Sequence, residues 1–167
     1  MISHSPILLQ DALGTKEDDS MTGTEGFDDM RGLAGADTIY SLGGDDQEDG
    51  GSDTDTMYGG PGADIMDGGN GNDTMGGGNG NDTMRGGTGR DLIYGNAGKD
   101  VIKLRREHGV SVDRVAGGAG NDYISIANVP KRKDVAVCGS GRRDRVVADK
   151  ADHVSRASCE KVRRIGG

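Results

Sequence analysis

The stretch from Gly59 to Tyr94 reads GGPGADIMD, GGNGNDTMG, GGNGNDTMR and GGTGRDLIY, so one nine-residue unit occurs four times without a gap. Repetition at a fixed period is typical of architectures that stack one small structural unit on the next. The unit is Gly-Gly-x-Gly-x-Asp-x-apolar-x, and its positions are numbered one to nine below.

Each fixed position of the unit has a physical reason. Glycines at positions one, two and four allow left-handed backbone conformations, so the first six residues predict a tight turn. The last three residues place one apolar side chain between two that point the other way, which predicts a short strand. Turn carbonyls and the position-six carboxylate bring hard oxygen atoms together, and these suit calcium.

The repeat extends well beyond the four clear copies. Position-six aspartates recur every nine residues from Asp28 to Asp100 without a slip in register. The pattern is interrupted at 104–107, resumes as a degenerate unit at 108–116, and is clear again from Gly117, which adds Asp122. The composition, with 32 Gly and 3% aromatic residues, is typical of disorder. The strict period argues against disorder.

This unit resembles the calcium-binding nonapeptide of the RTX family, the hemolysin-type parallel β-roll, most clearly from Gly23 to Lys103. The resemblance implies an all-β fold, a right-handed parallel β-roll or solenoid in which two repeats make one turn. It implies that calcium lies between repeat n and repeat n+2. The implied ligands are the carboxylates of Asp28, Asp37, Asp46, Asp55, Asp64, Asp73, Asp82, Asp91, Asp100 and Asp122, with the backbone carbonyls of Gly59, Pro61, Gly68, Asn70, Gly77, Asn79, Gly86 and Thr88.

If two repeats make a turn, the position-eight side chains form two inward columns. One column holds Met30, Glu48, Met66, Met84 and Ile102, and the other holds Ile39, Met57, Met75 and Ile93. Glu48 is the exception, since a buried unpaired charge is costly. Two interpretations stay open: Glu48 is an extra calcium ligand with Asp45, Asp46 and Asp49, or a local bulge turns it to water. We expect the bulge.

The repeat pattern divides the chain into three expected segments. Residues 1–22 are expected to be an N-terminal lead-in or cap, and their apolar run Ile7-Leu8-Leu9 is too short for a secretory hydrophobic region or a membrane span. Residues 23–125 are the expected calcium-binding roll. Residues 126–167 are expected to be degenerate basic coils closed by a disulfide.

The charge changes sign along the chain. Residues 1–100 hold 20 acidic and 5 basic side chains, whereas residues 101–167 hold 8 and 15. Such an asymmetry can indicate nucleic-acid binding. No stacking aromatic residues accompany the basic charge, and strand-like patterns such as Asp134-Val135-Ala136-Val137 alternate with it. We therefore expect coils that continue without metal, and no nucleic-acid partner.

Cys138 and Cys159 are 21 residues apart, one 18-residue turn plus three. They are expected on neighbouring turns at one edge, where an oxidising compartment would join them. A disulfide there would lock the last turns by roughly 3 kcal/mol. Two buried free thiols are the alternative.

Catalytic patterns are not evident. His4, His108 and His153 occur singly, and the glycine-rich turns lack the Lys-Ser/Thr ending of a phosphate loop.

The leading hypothesis is a secreted, extracellular, non-enzymatic module that folds when it binds calcium, although the chain shows no export signal and its protein or surface partner is unknown. One alternative is a calcium-dependent adhesive or ice-binding surface, although positions three and five hold no long array of Thr and Asn. Another is the carrier module of a larger secreted enzyme or toxin.

Overall fold

The computed structural model describes residues 7–8, 11–104, 111–127, 133–155 and 159–165. Regular structure in these ranges consists of 18 short strands and no helix. The first nine strands are β1 (Ile7–Leu8), β2 (Asp11–Leu13), β3 (Ser20–Thr22), β4 (Asp29–Arg31), β5 (Thr38–Tyr40), β6 (Gln47–Ser52), β7 (Thr56–Pro61), β8 (Ile65–Asn70) and β9 (Thr74–Asn79). The rest are β10 (Thr83–Arg85), β11 (Leu92–Ala97), β12 (Val101–Lys103), β13 (Arg114–Ala119), β14 (Tyr123–Ser125), β15 (Val135–Gly139), β16 (Arg145–Ala148), β17 (His153–Val154) and β18 (Lys161–Arg164).

The strands form two parallel sheets of nine strands each, one from the odd-numbered strands and one from the even-numbered strands. Each strand pairs with the strand two places along, in a register that sets Met57 beside Ile39 and Met75. Two repeats therefore make one full turn, and the predicted all-β parallel roll is confirmed.

The core lies between the two sheets and consists of the two predicted columns. In the even sheet Met66 lies beside Glu48 and Met84, and in the odd sheet Met75 lies beside Met57 and Ile93. The methionine and isoleucine members of both columns are at most 1% exposed. Strand alternation directs position eight inward and positions seven and nine outward.

Glu48 differs from our expectation. Its side chain is 3% exposed and lies in register between Met30 and Met66, so no bulge turns it to water. The hydroxyl of Ser41 donates a hydrogen bond to Oε1 of Glu48. Burial, with a smaller contribution from nearby aspartates, raises the pKa of the Glu48 carboxyl to about 8, and the Ser41 hydrogen bond opposes this shift. A carboxyl that remains protonated at neutral pH carries no charge. Its inward position therefore avoids the cost of burying an unpaired charge, which was the reason to expect a bulge.

The coil extends beyond the clear repeats at both ends. Residues 11–22, expected as a lead-in or cap, form β2 and β3, which pair with β4 and β5. Strands on either side of 105–110 keep pairing, so the coil continues past the interruption, as predicted; those six residues lie outside the described ranges.

The C-terminal coils also continue the two sheets, since β15 to β18 extend both stacks. A disulfide joins Cys138 in β15 to Cys159, with a Cα–Cα distance of 5.2 Å. It ties the odd sheet to the segment that enters the last even strand.

The described part of the chain has no helix that is long and apolar enough to cross a membrane.

Candidate metal centre

The position-six aspartates form two buried rows, one at each turn edge of the roll. Each position-six aspartate from Asp28 to Asp144 in the described ranges is at most 1% exposed. One row holds Asp37, Asp55, Asp73, Asp91, Asp113 and Asp134, and the other holds Asp28, Asp46, Asp64, Asp82, Asp100, Asp122 and Asp144. The structure thus brings the predicted acidic ligands together in columns.

One carboxylate oxygen of each aspartate has a structural role. The backbone N–H of Asp64 donates to Oδ1 of Asp82, one turn along, with an N···O distance of 3.0 Å. The same bond joins Asp46 to Asp64 at 2.9 Å and Asp73 to Asp91 at 3.1 Å. Oδ1 therefore ties successive turns together, a role that the sequence interpretation did not assign.

The second oxygen is different. Among the described residues, buried Oδ2 atoms accept no hydrogen bond in Asp37, Asp46, Asp55, Asp64, Asp73, Asp82, Asp100, Asp122 and Asp144. Buried polar atoms are normally satisfied, so a repeated exception indicates a missing partner. That the same atom is the exception turn after turn points to one kind of ligand.

Most of these oxygens face a small cradle beside the position-one glycine, as Oδ2 does in Asp37, Asp55, Asp64, Asp73, Asp82, Asp100 and Asp122. A Cβ placed on Gly68 would lie 2.6 Å from Oδ2 of Asp73 and 2.5 Å from the carbonyl oxygen of Gly86. A Cβ on Gly50 would lie 2.5 Å from Oδ2 of Asp55 and 2.8 Å from the carbonyl oxygen of Gly68. Oxygens of two successive turns therefore converge on one space, and glycine keeps that space open. Carboxylate and carbonyl oxygens are the ligands that calcium takes.

The electrostatics also fit a cation. Burial, with a smaller contribution from neighbouring aspartates, raises the pKa of Asp73 and of Asp82 to about 7. Burial likewise raises the pKa of Asp55 and of Asp64 to about 6. A carboxylate whose pKa is raised by burial has no positive charge close enough to offset the loss of water.

The predicted carbonyl ligands lie on the same turns. The carbonyl oxygens of Pro61, Asn79 and Thr88 accept N–H groups from Gly44, Gly62 and Gly71, at 3.0, 2.8 and 2.7 Å. Those of Gly68, Gly77 and Gly86 line the cradles of Gly50, Gly59 and Gly68. Asn70 pairs in register with Ser52 and with Thr88. A carbonyl oxygen has two lone pairs, so one hydrogen bond leaves capacity for a cation.

Position five has a function that the sequence interpretation missed. Oδ1 of Asn72 accepts the N–H of Arg90, and Oδ1 of Asn81 accepts the N–H of Lys99, both at 2.8 Å. Asp45 does the same for Ala63. The sequence indicates this role by Asn or Asp at position five of several repeats. These side chains connect successive turns through hydrogen bonds.

Within the described ranges, no group of three or more His, Cys, Asp or Glu side chains is arranged to hold a metal by itself. The candidate centre consists of single carboxylates and main-chain carbonyls, repeated along each turn edge.

Comparison with known families agrees with this geometry. The family model for the RTX calcium-binding nonapeptide repeat matches the chain in four copies, at residues 13–48, 49–84, 76–104 and 109–125. A search of curated proteins found no match. The matched residues span well over half of the chain and coincide with the stacked turns and their aspartate rows, and the chain therefore belongs to the RTX calcium-binding nonapeptide-repeat family.

Proposed function

We propose that this chain is a secreted, non-enzymatic β-roll that folds when it binds extracellular calcium. The observation that carries the proposal is the row of buried aspartates whose Oδ2 atoms lack a hydrogen-bond partner in the described structure. Family membership supports calcium as the ion.

The proposed acidic ligands are the predicted position-six aspartates from Asp37 to Asp122. Asp28 has a similar cradle at Gly23, but the N–H of Thr24 donates to its Oδ2. The carbonyls of Gly59, Pro61, Gly68, Asn70, Gly77, Asn79, Gly86 and Thr88 are proposed as the accompanying oxygens. A bound calcium ion would supply the positive charge that these buried carboxylates lack. The aspartates and glycines of the chain itself hold the cradles open and keep their oxygens in register.

Folding and binding are coupled in this proposal. The core is two thin columns of side chains, and the aspartates of one row face each other one turn apart. Without a cation the folded chain would keep these like charges buried together, whereas the unfolded chain can separate them in water. Binding free energy then becomes folding free energy.

A calcium titration followed by circular dichroism tests the proposal. The chelated protein should be largely unstructured at low salt and gain β signal as calcium is added, whereas magnesium should substitute poorly because its small octahedral shell keeps several waters. Identical spectra with chelator and with calcium would contradict the proposal.

The extracellular assignment is supported by the disulfide between Cys138 and Cys159, since disulfides persist in oxidising compartments. Mass spectrometry of non-reduced peptides from the natural source would test it. Two free thiols would argue against export.

An adhesive or ice-binding surface is the second candidate, and one feature favours it. Ser20, Thr38, Thr56 and Thr74 occupy successive rungs of the outward face of the odd sheet. On the same face the rings of Tyr40 and Tyr58 stack with centroids 5.1 Å apart. Thermal hysteresis in the presence of calcium would support an ice-binding role, and its absence would leave the structural role.

A further inference from the structure

The turns of the roll fall into two groups according to the backbone at position two. In most turns this residue has a positive φ, as at Gly60, Gly69 and Gly78 with 109°, 95° and 116°. Three non-glycine residues, Leu33, Leu42 and Asn96, adopt the same conformation, with φ of 78°, 75° and 73°. Among the described residues at position two, Thr15, Thr24, Ala127 and Asp149 do not have it.

At Thr15, Thr24 and Asp149 the backbone N–H donates to Oδ2 of the aspartate of the same turn. Thr15 donates to Asp19 at 2.6 Å, Thr24 donates to Asp28 at 2.7 Å, and Asp149 donates to Asp152 at 2.7 Å. The hydroxyls of Thr15 and Thr24 lie 3.0 and 3.2 Å from the same Oδ2 atoms and donate a second hydrogen bond. In the Thr15 and Thr24 turns, the oxygen that has no partner in the turns of Asp37, Asp55 and Asp64 is therefore satisfied by the protein.

A hydrogen-bonded Oδ2 is a poor calcium ligand for an electrostatic reason. The N–H and O–H groups place partial positive charge at the position where a cation would approach the oxygen. Binding calcium there would require breaking two hydrogen bonds to a carboxylate, which are among the stronger hydrogen bonds in proteins.

The C-terminal turn headed by Ala148 differs from these two turns. Nη1 of Arg164 donates to the carbonyl oxygens of Asp149 and Asp152, at 2.5 and 2.9 Å. In the described structure, Oδ2 of Asp149 and Oδ1 of Asp152 are nevertheless buried and accept no hydrogen bond, so the protein does not satisfy both carboxylates of this turn.

We propose that the turns headed by Gly14 and Gly23 are metal-independent caps, in which N–H and hydroxyl groups take the place of calcium. The calcium row then starts after Asp28, and Asp28 itself holds no metal. This inference rests on the proposed calcium function and narrows the predicted ligand set by one residue. The N-terminal end of the metal-bound coil is covered by turns that need no ion.

Calcium stoichiometry tests the proposal directly. Wild type, Asp28→Asn and the matched variant Asp64→Asn would be dialysed against saturating calcium, and bound calcium per chain would be measured by elemental analysis. Asparagine keeps one oxygen as an acceptor, replaces the other by an NH2 donor and removes the charge. We expect Asp28→Asn to bind as much calcium as wild type, and Asp64→Asn to lose at least one ion per chain or to lose calcium-dependent folding.

An equal loss in both variants would overturn the caps while leaving calcium binding intact, whereas a wild type that binds no calcium would overturn the proposed function itself. Thr24→Gly removes the hydroxyl and allows the left-handed backbone, so this variant should gain one ion per chain. An unchanged count in Thr24→Gly would contradict the role assigned to the Thr24 donors.

Discussion

The hydroxyl of Ser41 donates to the carboxyl of Glu48, and both side chains are buried. Ser41 occupies a position that is glycine in most repeats, and Glu48 occupies a position that is apolar in most repeats. The two departures from the repeat lie seven residues apart and are joined by this hydrogen bond, whereas Oε2 of Glu48 is buried and accepts no hydrogen bond in the described structure. Burying such a carboxyl costs less when its charge is removed.

This pair predicts a pH-dependent stability. The folded pKa of Glu48, about 8, lies above its ordinary value of 4.5. Its contribution is therefore complete below about pH 4.5 and is lost as the pH rises through about 8. Glu48→Gln should be more stable than wild type by an amount that grows with pH, on the order of 1 kcal/mol per pH unit. Urea unfolding at saturating calcium, at pH 6 and pH 8, measures the difference.

Glu25→Gln is the control for Glu48→Gln, because Glu25 is an exposed carboxylate. It should differ from wild type equally at the two pH values. A difference between Glu48→Gln and wild type that is the same at pH 6 and pH 8 would show that Glu48 does not titrate as described.

The aspartate rows predict that acid partly replaces calcium. Burial raises the folded pKa of Asp73 and Asp82 to about 7 and that of Asp55 and Asp64 to about 6, above the ordinary value of 3.8. For the calcium-free roll, this stability is present below about pH 4 and is lost as the pH rises through 6 to 7. Chelated protein should therefore gain β signal when the pH is lowered from 7.5 to 5. Spectra that do not change over this range would contradict the prediction.

The turns should differ in their importance for calcium. Replacing Asp73 and Asp82 by Ala removes one carboxylate from each of two turns with intact glycines, and should raise the calcium midpoint of the whole roll. Asp46→Ala should have a smaller effect, because Ser41 places a Cβ where other turns have glycine. Calcium titrations followed by circular dichroism compare the midpoints, and a larger shift for Asp46→Ala would reverse the ranking. The corresponding Asn variants separate the loss of charge from the loss of the Oδ1 hydrogen bond.

Position four of the turn headed by Gly68 should tolerate no side chain. Gly71 has φ of 147°, and a Cβ there would overlap the carbonyl oxygen of Asp53 one turn away. Gly71→Ala should cost at least about 2 kcal/mol, since it adds backbone strain to the clash.

Gly76→Ala is the matched control for Gly71→Ala. Its Cβ would meet only side-chain atoms of Tyr58 and Asn96, at 3.3 and 3.5 Å, and these can move. It should change the free energy of unfolding, measured with urea at saturating calcium, by no more than about 0.5 kcal/mol, because its neighbours are side chains that can move. Equal destabilisation by the two variants would show that the close approach of the turns is not the cause.

Much of this molecule follows from the nonapeptide alone. Glycines at fixed positions predict the turns, one apolar residue in three predicts short strands, and the period of two repeats predicts which side chains share a column, as Met66 and Met84 do. Turns and strands depend on neighbouring residues, and the columns depend on the regular period. A pattern of nine residues is therefore enough to predict each of them. The position of the aspartates at the turn edge follows for the same reason.

Other features were decided only by the contact between turns. Whether Glu48 faces inward depends on Ser41, and whether Asp28 has a free oxygen depends on the φ of Thr24 and on where its N–H points. The two oxygens of one aspartate have the same chemistry in the sequence. Stacking assigns Oδ1 of Asp82 to the N–H of Asp64 and leaves Oδ2 facing the cradle, because only one of the two oxygens can reach the adjacent turn.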